Sequence, residues 1–176
     1  MTKPKRLKKV SKFLSYSLRH NPNTLEIELG KDGWIKISDI TKKTDITINE
    51  IVEVVKRDKK GRFSISGNKI RANYGHSINI DINYTPEIPP NILFHGTGKN
   101  SVEKILEEGI KSMERNFVHL ANKKIVAFQN GSRHGKSVIL HIDAQKMSED
   151  GFEIYKASNI IWLTKYVPQK YIKEVE

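Results

Sequence analysis

Apolar residues recur at three- and four-residue intervals near the start of the chain. Leu7, Val10, Leu14 and Leu18 share this spacing, with Phe13 beside them, and such spacing lines one face of a helix. The run ends in "SLRHNP", where Asn21-Pro22 breaks it, because the residue before a proline is steered out of the α region. Further on, Gly33 marks a turn, Trp34, Ile35 and Ile37 begin a short extended piece, and Ser38 is placed to cap a brief helix. Thr47 and Glu50 stand at capping-box spacing, and Ile48, Ile51, Val52, Val54 and Val55 supply the apolar stripe of the helix they open. In "GRFSISGNKIRAN" two short alternating runs flank Gly67-Asn68, which signals a two-residue hairpin.

The pattern then changes. "INIDINYTPEIPPN" is polar with three prolines and reads as a linker over residues 79–91. Beyond it "ILFHGTG" reads as a strand ending in a glycine turn, and Asn100 and Glu103 have N-cap and N3 spacing for a helix that stops at Gly109. "NFVHLA" reads as a strand, "KKIVAFQNG" as a short helix and "KSVILHID" as a strong strand, while "FEIYKASNIIWLT" carries strand formers around a turn. The sequence thus predicts an α+β chain. Residues 1–78 form a winged-helix-like lobe of helices and a hairpin, and residues 92–176 form a β-rich lobe.

Composition narrows the function. Of 176 residues, 37% are hydrophobic, enough for compact cores, and no apolar run is long enough to span a bilayer. The basic start is not followed by an apolar signal-peptide segment, so a cytoplasmic protein without membrane association is expected. The absence of cysteine excludes disulfides, thiolate chemistry and cysteine-based zinc sites. Six scattered histidines form no HExxH-type pair, and no metal is expected. A net charge of +11 favours a polyanionic partner. Lys3, Lys5, Arg6, Lys8, Lys9 and Lys12 crowd the first helix. A solubilising helix face has the same composition, and nucleic acid becomes the better reading only with a fold that binds it.

Several residues could carry chemistry. Arg19 and His20 end the first helix, where cations complement the helix dipole and a purely structural role suffices. Arg19, Arg71 and Arg133 are widely separated. Together they could grip a phosphate through paired, charge-assisted hydrogen bonds, but nothing local brings them together. In "FHGTG", Gly96 could let backbone approach a ligand flanked by His95 and Thr97, or simply make a strand-to-loop turn. His119 alternates with apolar neighbours, as a satisfied core histidine does. No Walker or dinucleotide glycine fingerprint is present.

Taken in order, "SKFLSYSLRHNP", "DGWIKISDI", "RFSISGNKIRANYGHS", "LFHGTG", "MERNFVHLA", "GSRHGKSVIL" and "SNIIWLT" cover nearly the whole chain, and the set resembles the KptA-type RNA 2'-phosphotransferases. The resemblance implies an N-terminal winged-helix lobe and a C-terminal NAD-binding lobe similar to ADP-ribosyltransferases. It implies an RNA-processing activity of the tRNA-splicing kind, in which an internal RNA 2'-phosphate is transferred to NAD+. NAD is consumed, nicotinamide, 2'-hydroxyl RNA and ADP-ribose 1'',2''-cyclic phosphate are released, and neither a metal nor an obligate protein partner is needed. The family's catalytic set falls on Arg19, His20, Arg71 and Arg133, which the resemblance implies converge at the cleft between the lobes. Its NAD-binding motifs fall on His95, Gly96, Thr97 and His119. The chain departs from the family at Tyr74, Ala121 and Ile160, where glutamine, serine and glycine are usual. Two other readings share these features: an ADP-ribosyltransferase acting on nucleic-acid ends or protein, and a winged-helix regulator that senses NAD or ADP-ribose without turnover.

Overall fold

The computed structural model describes residues 3–176; Met1 and Thr2, the first residues of the expected N-terminal lobe, lie outside the described residues. The chain divides into two compact units, Met1–Asn83 and Tyr84–Glu176. Both mix helix and antiparallel sheet, so the α+β class holds.

In the first unit, α1 (Lys3–Arg19) buries the expected Leu7, Val10, Leu14 and Leu18. It is followed by β1 (Ile35–Lys36), α2 (Ile37–Lys43), α3 (Ile48–Lys56), β2 (Phe63–Ser66) and β3 (Lys69–Ala72), with the three strands in the order β1-β3-β2. The capping box forms: Glu50 N–H donates to Thr47 Oγ1 at 3.2 Å, and Thr47 N–H donates to Glu50 Oε2 at 2.9 Å. The hairpin pairs Ser66 with Lys69 and Ser64 with Arg71 across the Gly67-Asn68 turn.

Two details differ from the sequence reading. The second helix starts one residue before the expected cap at Ser38, because Ile37 N–H donates to Asn68 O at 2.8 Å. The hairpin backbone satisfies the first orphan amide, so no capping side chain is required. The stripe of α3 is also narrower than expected. Ile51 and Val54 are buried where the helix packs on α1 and β2, whereas Ile48 and Val52 are 56% and 46% exposed.

The second unit contains β4 (Ile92–Gly98), α4 (Val102–Glu108), β5 (Ile110–Lys111), β6 (Val118–Ala121), α5 (Lys124–Gly131), β7 (Ser137–Asp143), α6 (Ala144–Glu149), β8 (Tyr155–Lys156), β9 (Ile161–Thr164), β10 (Tyr166–Val167) and β11 (Ile172–Val175). Six strands form an antiparallel sheet in the order β11-β7-β4-β6-β9-β8, and β5 pairs with β10. Leu93, Leu120, Leu140, Ile142, Met147 and Trp162 lie in its core. Asn100 does not cap α4. Lys99 N–H donates to Lys136 O at 2.9 Å, the chain then makes a 3₁₀ turn over Lys99–Ser101, and the helix begins at Val102.

The proline-rich segment is anchored rather than slack. On the first unit Asp81 N–H donates to Lys31 O. On the second, the Tyr84 ring meets Phe117 edge-on at 5.6 Å and Glu87 N–H donates to Ile154 O. Among the described residues no helix is long and apolar enough to cross a membrane.

Candidate active site

The first unit brings three of the four expected catalytic residues together. Arg19 is the last residue of α1, and the helical hydrogen bonding runs on through His20, whose N–H donates to Tyr16 O at 2.9 Å. The loop after the hairpin folds onto this helix end. Ser77 N–H donates to Arg19 O at 3.0 Å, and Ser77 Oγ lies 2.9 Å from His20 Nδ1. Gly75 makes the approach possible: its φ of +87° is a left-handed conformation, and an added Cβ would sit 3.3 Å from Arg19 Nη1. Arg19 and His20 thus stand at the helix end with this loop packed against them.

Aromatic rings support both guanidinium groups. Arg19 lies 4.9 Å from the Tyr74 ring centroid and 5.8 Å from that of Phe63, and Arg71 lies 4.8 Å from that of Trp34. Such stacking holds a cation in place. Arg71 alternates on β3 with fully buried Ile70 and Ala72, which sends its side chain to the other face. One nitrogen donates to Asp32 O at 3.5 Å, while the buried Nε has no hydrogen-bond partner among the described residues.

His76 completes the cluster and was assigned no role from sequence. It is 4% exposed, and its buried Nε2 has no hydrogen-bond partner among the described residues. Burial, followed by the charges of Arg19, His20 and Arg71, pushes its pKa down to about 4. The ring is neutral at pH 7 because it is buried, and the neighbouring charges act in the same direction. A cluster of this kind is completed by an anion, which removes the mutual repulsion and fills open donors. The clue in the sequence was position: "ANYGHS" directly follows Arg71. Arg133 belongs to the second unit, where it is exposed on a 3₁₀ turn over Ser132–His134 and makes no hydrogen bond or ion pair among the described residues.

The second unit builds its motif from closely packed backbone. A Cβ on Gly96 would fall 1.7 Å from Ala127 O, one on Gly98 2.3 Å from His134 O, and one on Gly131 2.8 Å from Thr97 O. Strand β4 and helix α5 thus touch main chain to main chain, and this packing alone demands glycine at position 96. His95 Nδ1–H donates to His119 O at 3.1 Å, since a carbonyl can only accept. That fixes the tautomer and leaves Nε2 as an acceptor. Burial lowers the His95 pKa, outweighing the hydrogen bond to His119, and the charge of His134 lowers it further. Thr97 is buried, and His119 sits between buried Val118 and Leu120, paired across the sheet with Leu163.

The three positions that depart from the resembled pattern are placed as follows. The Tyr74 hydroxyl donates to Lys60 O at 2.9 Å, and burial raises its pKa to about 12, so it is a fixed platform under Arg19. Ala121 is buried opposite Phe94 and Ile161. The Ile160 carbonyl accepts from Asn122 N–H. A further polar group, His141 with Glu174 and Glu176, has the residue types of a metal site. Each ring nitrogen instead meets a different carboxylate at 3.0 Å, and Lys124 also pairs with Glu176. This network ties β11 to the sheet.

Residues 5–166 match the model of the RNA 2'-phosphotransferase, Tpt1 / KptA family. The chain is 45% identical over 177 residues to a protein of Acaryochloris marina named "Probable RNA 2'-phosphotransferase", covering 97% of this chain and 98% of the relative. Proteins with the same name from Nostoc punctiforme (40% identity, 97% and 98% covered) and Pectobacterium atrosepticum (41% identity, 94% and 96% covered) match similarly.

Proposed function

The chain belongs to the RNA 2'-phosphotransferase, Tpt1 / KptA family, and from that premise we propose that it removes an internal 2'-phosphate from RNA by transferring it to NAD+. The observation that carries this reading is the cluster of Arg19, His20, Arg71 and buried, neutral His76, with the Nε of Arg71 open for an anion. The order of helices and hairpin supports a winged-helix-like first unit. The β-rich second unit suits an ADP-ribosyltransferase-like NAD-binding role.

Two steps account for the products. In the first, a 2'-phosphate oxygen attacks the ribose carbon that bears nicotinamide, the glycosidic bond breaks, and nicotinamide leaves with the bonding pair as a neutral molecule. The RNA is now linked through its phosphate to ADP-ribose. In the second, the 2''-hydroxyl of that ribose attacks phosphorus and loses its proton. The RNA 2'-oxygen leaves and takes up a proton, giving 2'-hydroxyl RNA and ADP-ribose 1'',2''-cyclic phosphate.

The first nucleophile is already an anion, so the site requires charge stabilisation more than a strong base. This suits the "IIWLT" motif, which carries no carboxylate. We assign Arg71 and Arg133, helped by Arg19, to the phosphate oxygens, and His20 to orienting the phosphate or moving a proton. His95, Gly96, Thr97 and His119 are assigned to NAD. The residues suit a co-substrate rich in hydroxyls: neutral His95 offers an Nε2 acceptor, and Thr97 offers a hydroxyl.

Incubation with NAD+ and an oligoribonucleotide carrying an internal 2'-phosphate tests the reading. Nicotinamide release together with loss of the 2'-phosphate is expected. A stable ADP-ribosyl adduct would point to an ADP-ribosyltransferase instead, and binding without nicotinamide release to a regulator.

A further inference from the structure

The outward face of α1 carries an unusual charge pattern. Lys5, Lys9 and Lys12 follow one another at four and three residues, Lys8 lies beside them, and Tyr16 continues the same face one turn later. All five are exposed, Tyr16 by 50%. The stripe runs directly into the candidate site, since the Tyr16 ring lies 6.3 Å from that of His20. From Lys5 to Arg19 the helix spans about 20 Å.

Local stability argues against this arrangement. The first turn of α1 contains no acidic residue, although acids there would complement the macrodipole and lysines oppose it. Lys5–Lys9 and Lys8–Lys12 are like-charged pairs four residues apart, which destabilise a helix slightly. Four other basic side chains of the unit are matched to acids, although Lys31, Lys36 and Lys69, which are scattered rather than lined up on one face, are not among the described residues. Arg6, the neighbour of Lys5, pairs with Asp45 and Glu50, Lys43 with Glu26, Arg57 with Glu53, and Arg62 with Asp58. Lys5, Lys8, Lys9 and Lys12 have no ion-pair or hydrogen-bond partner among the described residues.

We propose that this face of α1 is a track for the RNA strand flanking the 2'-phosphate, with the four lysines on successive phosphates and Tyr16 stacking a base next to the reacting nucleotide. The inference rests on the proposed function, and it adds that the enzyme reads several nucleotides of chain beyond the modified one. Phosphate contacts of this kind position a strand without reading its sequence, and a tyrosine face stacks any base.

The test uses the full chain with two substrates, a dinucleotide and a longer oligoribonucleotide, each with an internal 2'-phosphate, and the longer RNA also without it. The longer RNA should bind and react more efficiently than the dinucleotide. Its affinity should fall with salt at a log–log slope of about −0.7 per phosphate contacted. In the variant carrying Lys5→Glu, Lys8→Glu and Lys12→Glu, the ratio of long to short efficiency should fall toward one and the slope should flatten. Tyr16→Ala should weaken binding of the longer RNA by about fivefold or more. Because Lys5→Glu improves the match to the helix dipole, the thermal midpoint of the triple variant should hold or rise, separating lost binding from lost fold.

Equal efficiency on both substrates in the wild type, or an unchanged ratio in the triple variant, overturns the track. Binding of the wild type to an acidic polypeptide that the triple variant loses, with binding of the longer RNA unchanged, would overturn it as well. If unmodified RNA binds through the lysines but no 2'-phosphate is ever removed, the track stands and the proposed function fails.

Discussion

The first unit assembles its motif from charge, while the second assembles its motif from backbone. Around Arg19, His20 and Arg71 the chain holds cations close together, supports them on aromatic rings, and keeps buried His76 neutral. Around His95, Gly96 and Thr97 the decisive contacts are between main-chain atoms of β4 and α5, and the polar group proposed to meet NAD is a neutral histidine locked by a carbonyl. The proposed phosphate site rests on charge. A dinucleotide is held by shape and by hydrogen bonds of fixed direction, which require a rigid frame. Loss of a guanidinium in the first unit should therefore cost function without fold, whereas a side chain added at the packed glycines of the second should cost fold.

The largest expected effect is on stability. Gly96→Ala would drive a methyl group into Ala127 O and should destabilise the second unit by more than about 3 kcal/mol. Gly67→Ala, at φ +55° in the hairpin turn of the first unit with open space around it, should cost only about 1 kcal/mol. Chemical denaturation of both variants checks the contrast, and similar values would break it.

Next in size is the rate effect of a single guanidinium. Arg71→Ala should slow turnover by about 10²–10³-fold while thermal unfolding stays near wild type, by analogy with loss of one oxyanion-stabilising donor. Arg71→Lys should recover only part of the rate, because a point charge lacks the two-pronged geometry. Steady-state kinetics on both variants decides this.

A smaller effect concerns pH. Folding lowers the His76 pKa from its ordinary value to about 4, so the unfolded chain binds the proton more readily. Stability is therefore full above pH 6.5 and falls as pH drops toward 4, by up to about 3 kcal/mol from this group. In His76→Gln that share of the acid sensitivity should disappear, seen as a smaller difference between urea midpoints at pH 7 and pH 4.5. A loss growing toward alkaline pH would have the opposite sign and would contradict the assignment. Smallest of all, Tyr74→Phe removes the bond to Lys60 O and should cost about 1 kcal/mol, with the ring still under Arg19.

Local elements were readable where one short-range rule governed them. The spacing of Leu7, Val10, Leu14 and Leu18 marked the buried face of α1, Thr47 and Glu50 marked their capping box, and Gly67-Asn68 marked the hairpin. Misreadings arose where a distant partner intervened. Asn68 O holds the Ile37 amide so that α2 begins before Ser38, and Lys136 O holds Lys99 so that α4 begins after Ser101 rather than Asn100. The site was legible as a family motif and not as a geometry. No local spacing joins Arg71 to Trp34 or sets His76 beside Arg19, His20 and Arg71, since those meetings depend on the hairpin folding back on the end of α1. The backbone contact behind Gly96 was equally hidden, because a glycine that admits a ligand and one that admits a helix look alike in sequence.

The division of labour is tested most directly by a single-turnover time course on labelled 2'-phosphorylated RNA, with products separated on a denaturing gel. Removing a guanidinium that faces phosphorus should slow the second step more than the first. In Arg71→Ala the RNA joined to ADP-ribose through its 2'-phosphate should therefore build up as a slower-moving band and then decay. In His95→Ala no such band should build up, and the reaction should instead demand more NAD+. Wild-type progress in Arg71→Ala, or complete inactivity with no slower band at any time, would contradict the assignment of this arginine to the second step.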